Sequence, residues 1–222
     1  MVKLCVFDLD GTLVNTLTDL TNSLNYALTE CGQSTLSEQQ VSAIVGHSIT
    51  YMCENSVPPE QIALAPRIQE LFKAHYAEHS LDSSQPYEGM IDAVLAIKRT
   101  GVKVAVVSNK PHDDTVRVVA KLYPRDTFSF VLGRTQKFAI KPAPDSLNFV
   151  MNFFGVTSDE SVYVGDSDVD VEFARNAGMR CVSVTWGFRT IGELLTAGAV
   201  CMTDDPAKVP DLVLSAGGER SC

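Results

Sequence analysis

The chain has no run of basic residues: 18 Lys and Arg stand against 27 Asp and Glu, a formal charge of −9. Nucleic acids and anionic membranes are held by clustered positive charge, so neither is expected as a partner. No apolar stretch is long enough to span a bilayer, and the apolar opening meets an acid at Asp8, too early for a secretory signal. A cytoplasmic protein is expected. The 6 cysteines form no C-x-x-C pair and several sit inside apolar runs, which predicts reduced, structural thiols. The chain also lacks G-x-x-x-x-G-K-[ST] and G-x-G-x-x-G, which argues against nucleoside triphosphatases and dinucleotide enzymes. It has no internal repeat and no low-complexity segment.

What is present begins with Val2-Lys3-Leu4-Cys5-Val6-Phe7, running into Asp8-Leu9-Asp10-Gly11-Thr12. A short apolar run closed by a Gly turn reads as a buried strand of a parallel sheet, and ligands bind beyond the carboxyl ends of such strands. If the extended geometry continues past Phe7, Asp8 and Asp10 project into one space. The pair is then either the end of a strand with an Asx turn, or two carboxylates that need a cation to coexist.

From residue 14 to about residue 84 the periodicity predicts helices only. Leu17, Leu20, Leu24, Ala27, Leu28 and Cys31 repeat at helical spacing, Ser37 with Gln40 resembles a capping box, and Pro66 is expected to kink or restart the segment that carries His75 and His79. Strand and helix alternate afterwards, with strands at Val102–Val107, Phe128–Leu132, Ser161–Val164, Cys181–Thr185 and Val200–Met202. This predicts an α/β fold, a doubly wound parallel sheet with an inserted all-α-helical cap. The core would comprise 1–13 and 85–222 and the cap 14–84, with a frayed tail at Gly217–Cys222.

Chemistry gathers at the predicted strand ends. Asp8 and Asp10 follow the first strand, Ser108-Asn109-Lys110 the second, Lys141-Pro142 precedes a helix, and Asp166, Asp168 and Asp170 follow a later strand. Singly, Ser108 reads as a helix N-cap, Lys141 as a solvated lysine, and Asp166 and Asp168 as capping acids. Jointly, acids, a lysine and a hydroxyl on one rim make a pocket for a metal and a phosphoryl group. The EF-hand reading of Asp166-x-Asp168-x-Asp170 fails, because Val171 and Ala177 stand where Gly and Glu are needed. His75-Tyr76-Ala77-Glu78-His79 matches H-x-x-E-H, yet that helix carries core-facing Leu71, Phe72 and Tyr76 and no further ligand pattern. Trp186 reads as core.

Asp8-Leu9-Asp10-Gly11-Thr12, Ser108, Lys141-Pro142 and Gly165-Asp166-Ser167-x-x-Asp170 resemble, in order, the four motifs of the haloacid dehalogenase-like hydrolases. The helical insert, Ser108-Asn109-Lys110-Pro111 and Thr185-Trp186-Gly187-Phe188-Arg189 look most like the phosphoglycolate-phosphatase branch. The resemblance implies Asp8 as nucleophile forming an aspartyl-phosphate, and Asp10 as general acid and base. It implies Mg2+ held by the Asp8 carboxylate, the Asp10 main-chain carbonyl and Asp166, with Asp170 supporting. Lys141 would offset charge, and Thr12, Ser108, Asn109, Lys110 and Arg189 would face the substrate, a small phosphorylated metabolite.

Rival readings differ at single features. A dehalogenase has no use for Asp10, a phosphonatase needs a cap Lys where only Lys73 is offered, and a phospho-receiver domain has no helical insert. A β-phosphoglucomutase-like phosphomutase stays open. The cap sets eight acids against Arg67 and Lys73, and Gly46-His47-Ser48 departs from the Gly-x-Gly expected of phosphoglycolate phosphatases. 2-Phosphoglycolate, which brings a second anion, is therefore one candidate among small phosphomonoesters. Oligomeric state is not encoded in any pattern found.

Overall fold

The computed structural model describes residues 1–215, so the tail at Gly217–Cys222 lies outside the described residues. The apolar opening forms β1 (Leu4–Phe7), buried throughout. The chain continues through β2 (Val14–Asn15), α1 (Leu17–Glu30), α2 (Glu38–Ile44), α3 (Ile49–Glu54), a 3-10 turn at Pro59–Leu64 and α4 (Ala65–His79). Ser37 and Gln40 do close a capping box on α2. Pro66 occupies the first turn of α4, where its missing N–H leaves nothing unpaired. The chain leaves this block through β3 (Gln85–Pro86), which pairs antiparallel with β2. The reading of residues 14–84 as helices only is corrected at Val14–Asn15: two residues carry no period, and their partner lies beyond the whole helical block.

Helix and strand then alternate through α5 (Met90–Arg99), β4 (Lys103–Pro111), α6 (His112–Leu122), β5 (Phe130–Arg134), α7 (Asp145–Phe154), β6 (Ser161–Gly165), α8 (Asp168–Asn176), β7 (Arg180–Val184), α9 (Ile191–Ala197), β8 (Met202–Thr203) and α10 (Val209–Leu214). Six strands form one sheet in the order β5-β4-β1-β6-β7-β8, with every neighbouring pair parallel. The expected doubly wound α/β sheet is what forms. Cys5 and Phe7 pack with Val104, Val106 and Val164 in one cluster, while Leu4 and Val6 pack with Ala105, Leu147 and Phe173 in another. Both faces of β1 are thus buried, which explains its unbroken apolar run. Leu24, Leu28, Met52, Ile68, Phe72 and Tyr76 make a separate cluster inside the helical block.

The strand order reverses at β1, so the carboxyl ends of β4, β1 and β6 lie side by side. β4 runs past the expected end at Val107, and its register against β5 shifts between Val107 and Pro111. A bulge of this kind bends a strand and re-aims its side chains, and Ser108, Asn109 and Lys110 lie within it. Cys5, Cys31, Cys53 and Cys181 are free thiols, but Cys201 is disulfide-bonded, which corrects the expectation that all are reduced. Spacing along the chain says nothing of which thiols meet in space. Among the described residues, no helix is long and apolar enough to cross a membrane.

Candidate active site

The β1 ladder extends one residue beyond the strand, Asp8 donating its N–H to Val164 O at 2.9 Å. The Asp8 carboxylate therefore stands where the pairing stops. Just after it the chain reverses around Leu9, whose carbonyl accepts from Thr12, Leu13 and Val14. Gly11 sits in that turn at φ +85°, and a Cβ there would lie 2.3 Å from Asp166 Oδ2. Glycine is needed both for the turn and for the close approach.

Lys141 Nζ lies 2.9 Å from Asp8 Oδ1 and 2.8 Å from Asp170 Oδ1, and donates to Tyr163 OH at 3.0 Å. Tyr163 in turn donates to Asp170 Oδ1, while Asp170 Oδ2 accepts from the Asp166 and Ser167 N–H groups and the Ser167 hydroxyl. Asp170 is fully engaged, and it holds Lys141 against Asp8. Burial opposes the charge on both partners, but their attraction outweighs it, keeping the Asp170 carboxyl below its ordinary range and the Lys141 ammonium above its own. Asp8 is left less satisfied. Burial pushes it up to about 6 against the pull of Lys141, and among the described residues its Oδ1 has no aligned hydrogen-bond donor.

Asp166 is held by Thr12 Oγ1 at 2.7 Å and by the Phe188 N–H at 2.8 Å. Gly187 backs it so closely that a Cβ would lie 2.3 Å from the Asp166 Cβ. Burial, reinforced by the charges of Asp170 and Asp8, pushes this acid up to about 8. Asp8, Asp166 and Asp170 each present an oxygen within 4.8 Å of the others, all buried. Oxygen donors, surplus negative charge and an unaligned lone pair on Asp8 are what a hard divalent cation satisfies. With Asp170 occupied, Asp8 and Asp166 are the carboxylates free to bind one.

The Asp10 side chain lies outside this triad. It accepts from Thr16 Oγ1 at 2.8 Å and pairs with Lys110 Nζ at 3.0 Å. Asn109 accepts from the Lys141 N–H at 2.8 Å and donates to Gly46 O at 3.1 Å, and the Ser108 hydroxyl accepts from the Lys110 N–H at 3.3 Å. A cleft of about 60 Å³ opens among Asp8, Asp10, Ser108, Asn109 and Lys110 on the sheet side and Leu20, Val45, His47, Ile49 and Met52 on the helical side. Arg189 is spent elsewhere: its Nε pairs with Asp168, and its terminal nitrogens donate to Ser42 O at 2.7 Å and Val45 O at 2.8 Å. Thr12 likewise has its hydroxyl committed to Asp166.

A sequence profile of the haloacid dehalogenase-like hydrolases matches residues 5–184, which contain every acid and lysine of this site. The chain belongs to that hydrolase family. Within it, the relatives are of the phosphoglycolate phosphatase-like branch. The phosphoglycolate phosphatase of Pseudomonas syringae pv. tomato is 31% identical over 209 residues, 91% of this chain and 76% of that one. That of Rhodospirillum rubrum is 30% identical over 231 residues, 99% of this chain and 95% of that one. The crystal structure of a provisionally named phosphoglycolate phosphatase from Lactobacillus delbrueckii subsp. bulgaricus superposes with a TM-score of 0.88, at 31% identity and with 95% and 97% of the two chains covered.

Several side chains of this hydrolase's site escape a sequence reading. Tyr163 fills a β-strand as any aromatic would, and only its polar tip inside an otherwise apolar run hints at a buried partner. Thr16 and the Phe188 N–H leave no sequence signal, because their roles depend on where two loops meet.

Proposed function

We propose that the protein is a Mg2+-dependent phosphatase that hydrolyses small phosphomonoesters through an aspartyl-phosphate on Asp8. The observation that carries this reading is the buried Asp8–Asp166–Asp170 group, with Lys141 beside Asp8 and Asp10 at the adjoining cleft. Asp8 would attack phosphorus while the ester oxygen departs with a proton from Asp10. Asp10 would then deprotonate the water that cleaves the Asp8–phosphorus bond, releasing phosphate. Asp8, Asp166 and the Asp10 main-chain carbonyl would hold Mg2+, whose charge offsets that of the phosphoryl group beside an acid. Ser108 and the neighbouring backbone would bind phosphoryl oxygens, and Lys141 would offset charge as Asp8 reacts. Residues 14–84 would act as a cap over the cleft.

2-Phosphoglycolate is the first substrate to assay, because the curated relatives carry that name. A panel of phosphorylated metabolites, with Mg2+ and with chelator, tests the reading. Release of inorganic phosphate that chelator abolishes is expected, and transfer to sugar instead would mark a phosphomutase. Asp8→Asn should fold and release no phosphate; activity near wild type in that variant would overturn the assignment of the nucleophile.

A further inference from the structure

Tyr76 lies on α4, in the helical block, but its hydroxyl reaches a sheet residue. It accepts a hydrogen bond from Lys110 Nζ at 2.7 Å, and the same ammonium sits 3.0 and 3.2 Å from the two oxygens of Asp10. We propose that Tyr76 is a positioning residue: by anchoring the Lys110 ammonium, it aims the Asp10 carboxyl at the oxygen of the departing ester. Proton delivery then depends on α4 standing over the sheet. The inference rests on the phosphatase reading above, in which the Asp10 proton moves to the ester oxygen as the oxygen–phosphorus bond breaks.

A lysine is a flexible point charge with rotatable donors, and one tethered only to Asp10 would follow that carboxylate through its rotamers. Here the ammonium is pinned from the opposite side as well. The Tyr76 ring stacks on Phe72 with centroids 5.3 Å apart and planes 12° from parallel, and Lys110 Nζ lies 4.7 Å from the Tyr76 ring centroid. Thr16 Oγ1 holds Asp10 Oδ1 at 2.8 Å from a third direction. The carboxyl is thereby fixed by contacts from β4 and from the segment between β2 and α1, and α4 acts on it through Lys110. Such restraint matters because proton transfer requires the donor within hydrogen-bond reach of its target.

Tyr76→Phe keeps the ring stack and removes only the hydroxyl. For an alkyl phosphate, whose alcohol needs a proton to leave, kcat/KM should fall roughly tenfold with KM little changed. For p-nitrophenyl phosphate, whose leaving group needs no proton, kcat/KM should stay at the wild-type value. In a Lys110→Met background, Tyr76→Phe should add nothing further, since the two act through one contact. Thermal melting of each variant checks the fold. Equal losses on both esters, or full additivity in the double variant, would overturn the inference while leaving the phosphatase reading in place. A wild-type enzyme that hydrolyses neither ester nor any member of the metabolite panel would overturn both.

Discussion

Asp166 and Asp170 sit four positions apart and read alike in the sequence, but their surroundings divide their work. Asp170 faces a lysine, a tyrosine hydroxyl, a serine hydroxyl and two N–H groups, so its charge is matched where it stands. Asp166 meets one hydroxyl, one N–H and two other acids, so its charge awaits a cation. Its position is set from behind by Gly187, which has no side chain to spare room for. Gly187→Ala should therefore displace Asp166 and weaken Mg2+ binding about 10–100-fold, the range typical for loss of a ligand's support. Isothermal titration with Mg2+ checks this, with circular dichroism unchanged; wild-type affinity in the variant would show that the Gly187 contact does not set the metal site.

At the scale of elements, the tips of β1, β4 and β6 carry the site, and the end of α2 is tied to it. The last carbonyls of a helix lack partners within it. Arg189 supplies donors to Ser42 O and Val45 O while its Nε pairs with Asp168 at the start of α8. This arginine was legible as a site residue only by resemblance, and its geometry makes it a tie between the helical block and the sheet. Hydrogen bonds from a charged donor contribute about 1.5–3 kcal/mol each, and 1 kcal/mol moves a domain of this size by roughly 2–4 °C. Arg189→Met removes both bonds and should lower the melting temperature by at least roughly 6 °C in differential scanning calorimetry, with Mg2+ affinity unchanged. No shift would mean the tie contributes nothing.

For the whole molecule, the buried acids link stability to pH. An acid whose folded value is raised binds its proton more tightly folded than unfolded. Its ionisation therefore costs stability as pH climbs from the ordinary carboxylate range through the folded value, about 6 for Asp8 and about 8 for Asp166. Metal-free protein should lose stability between about pH 5 and pH 8, and Mg2+ should restore it most at the upper end. With Mg2+ at about a hundred times its dissociation constant, the melting temperature should rise by roughly 5–10 °C at pH 8 and clearly less at pH 5.5. A rise of equal size at both pH values would remove Asp8 and Asp166 as its source.

Helical spacing in residues 17–79, the apolar run of β1, and the acids and lysine at the strand ends are local patterns, and so the α/β class, the helical block and the candidate residues could be read in order along the chain. Periodicity reports which face of an element is apolar, and a turn reports where the element stops. The antiparallel β2–β3 pair, the bulge in β4, the bonded Cys201 and the separate fates of Asp10, Asp166 and Asp170 belong to another kind of fact. Each depends on which groups distant in sequence come within a few ångströms of one another. Burial and neighbouring charge decide how such groups ionise and what they bind, and those exist only once the chain has packed.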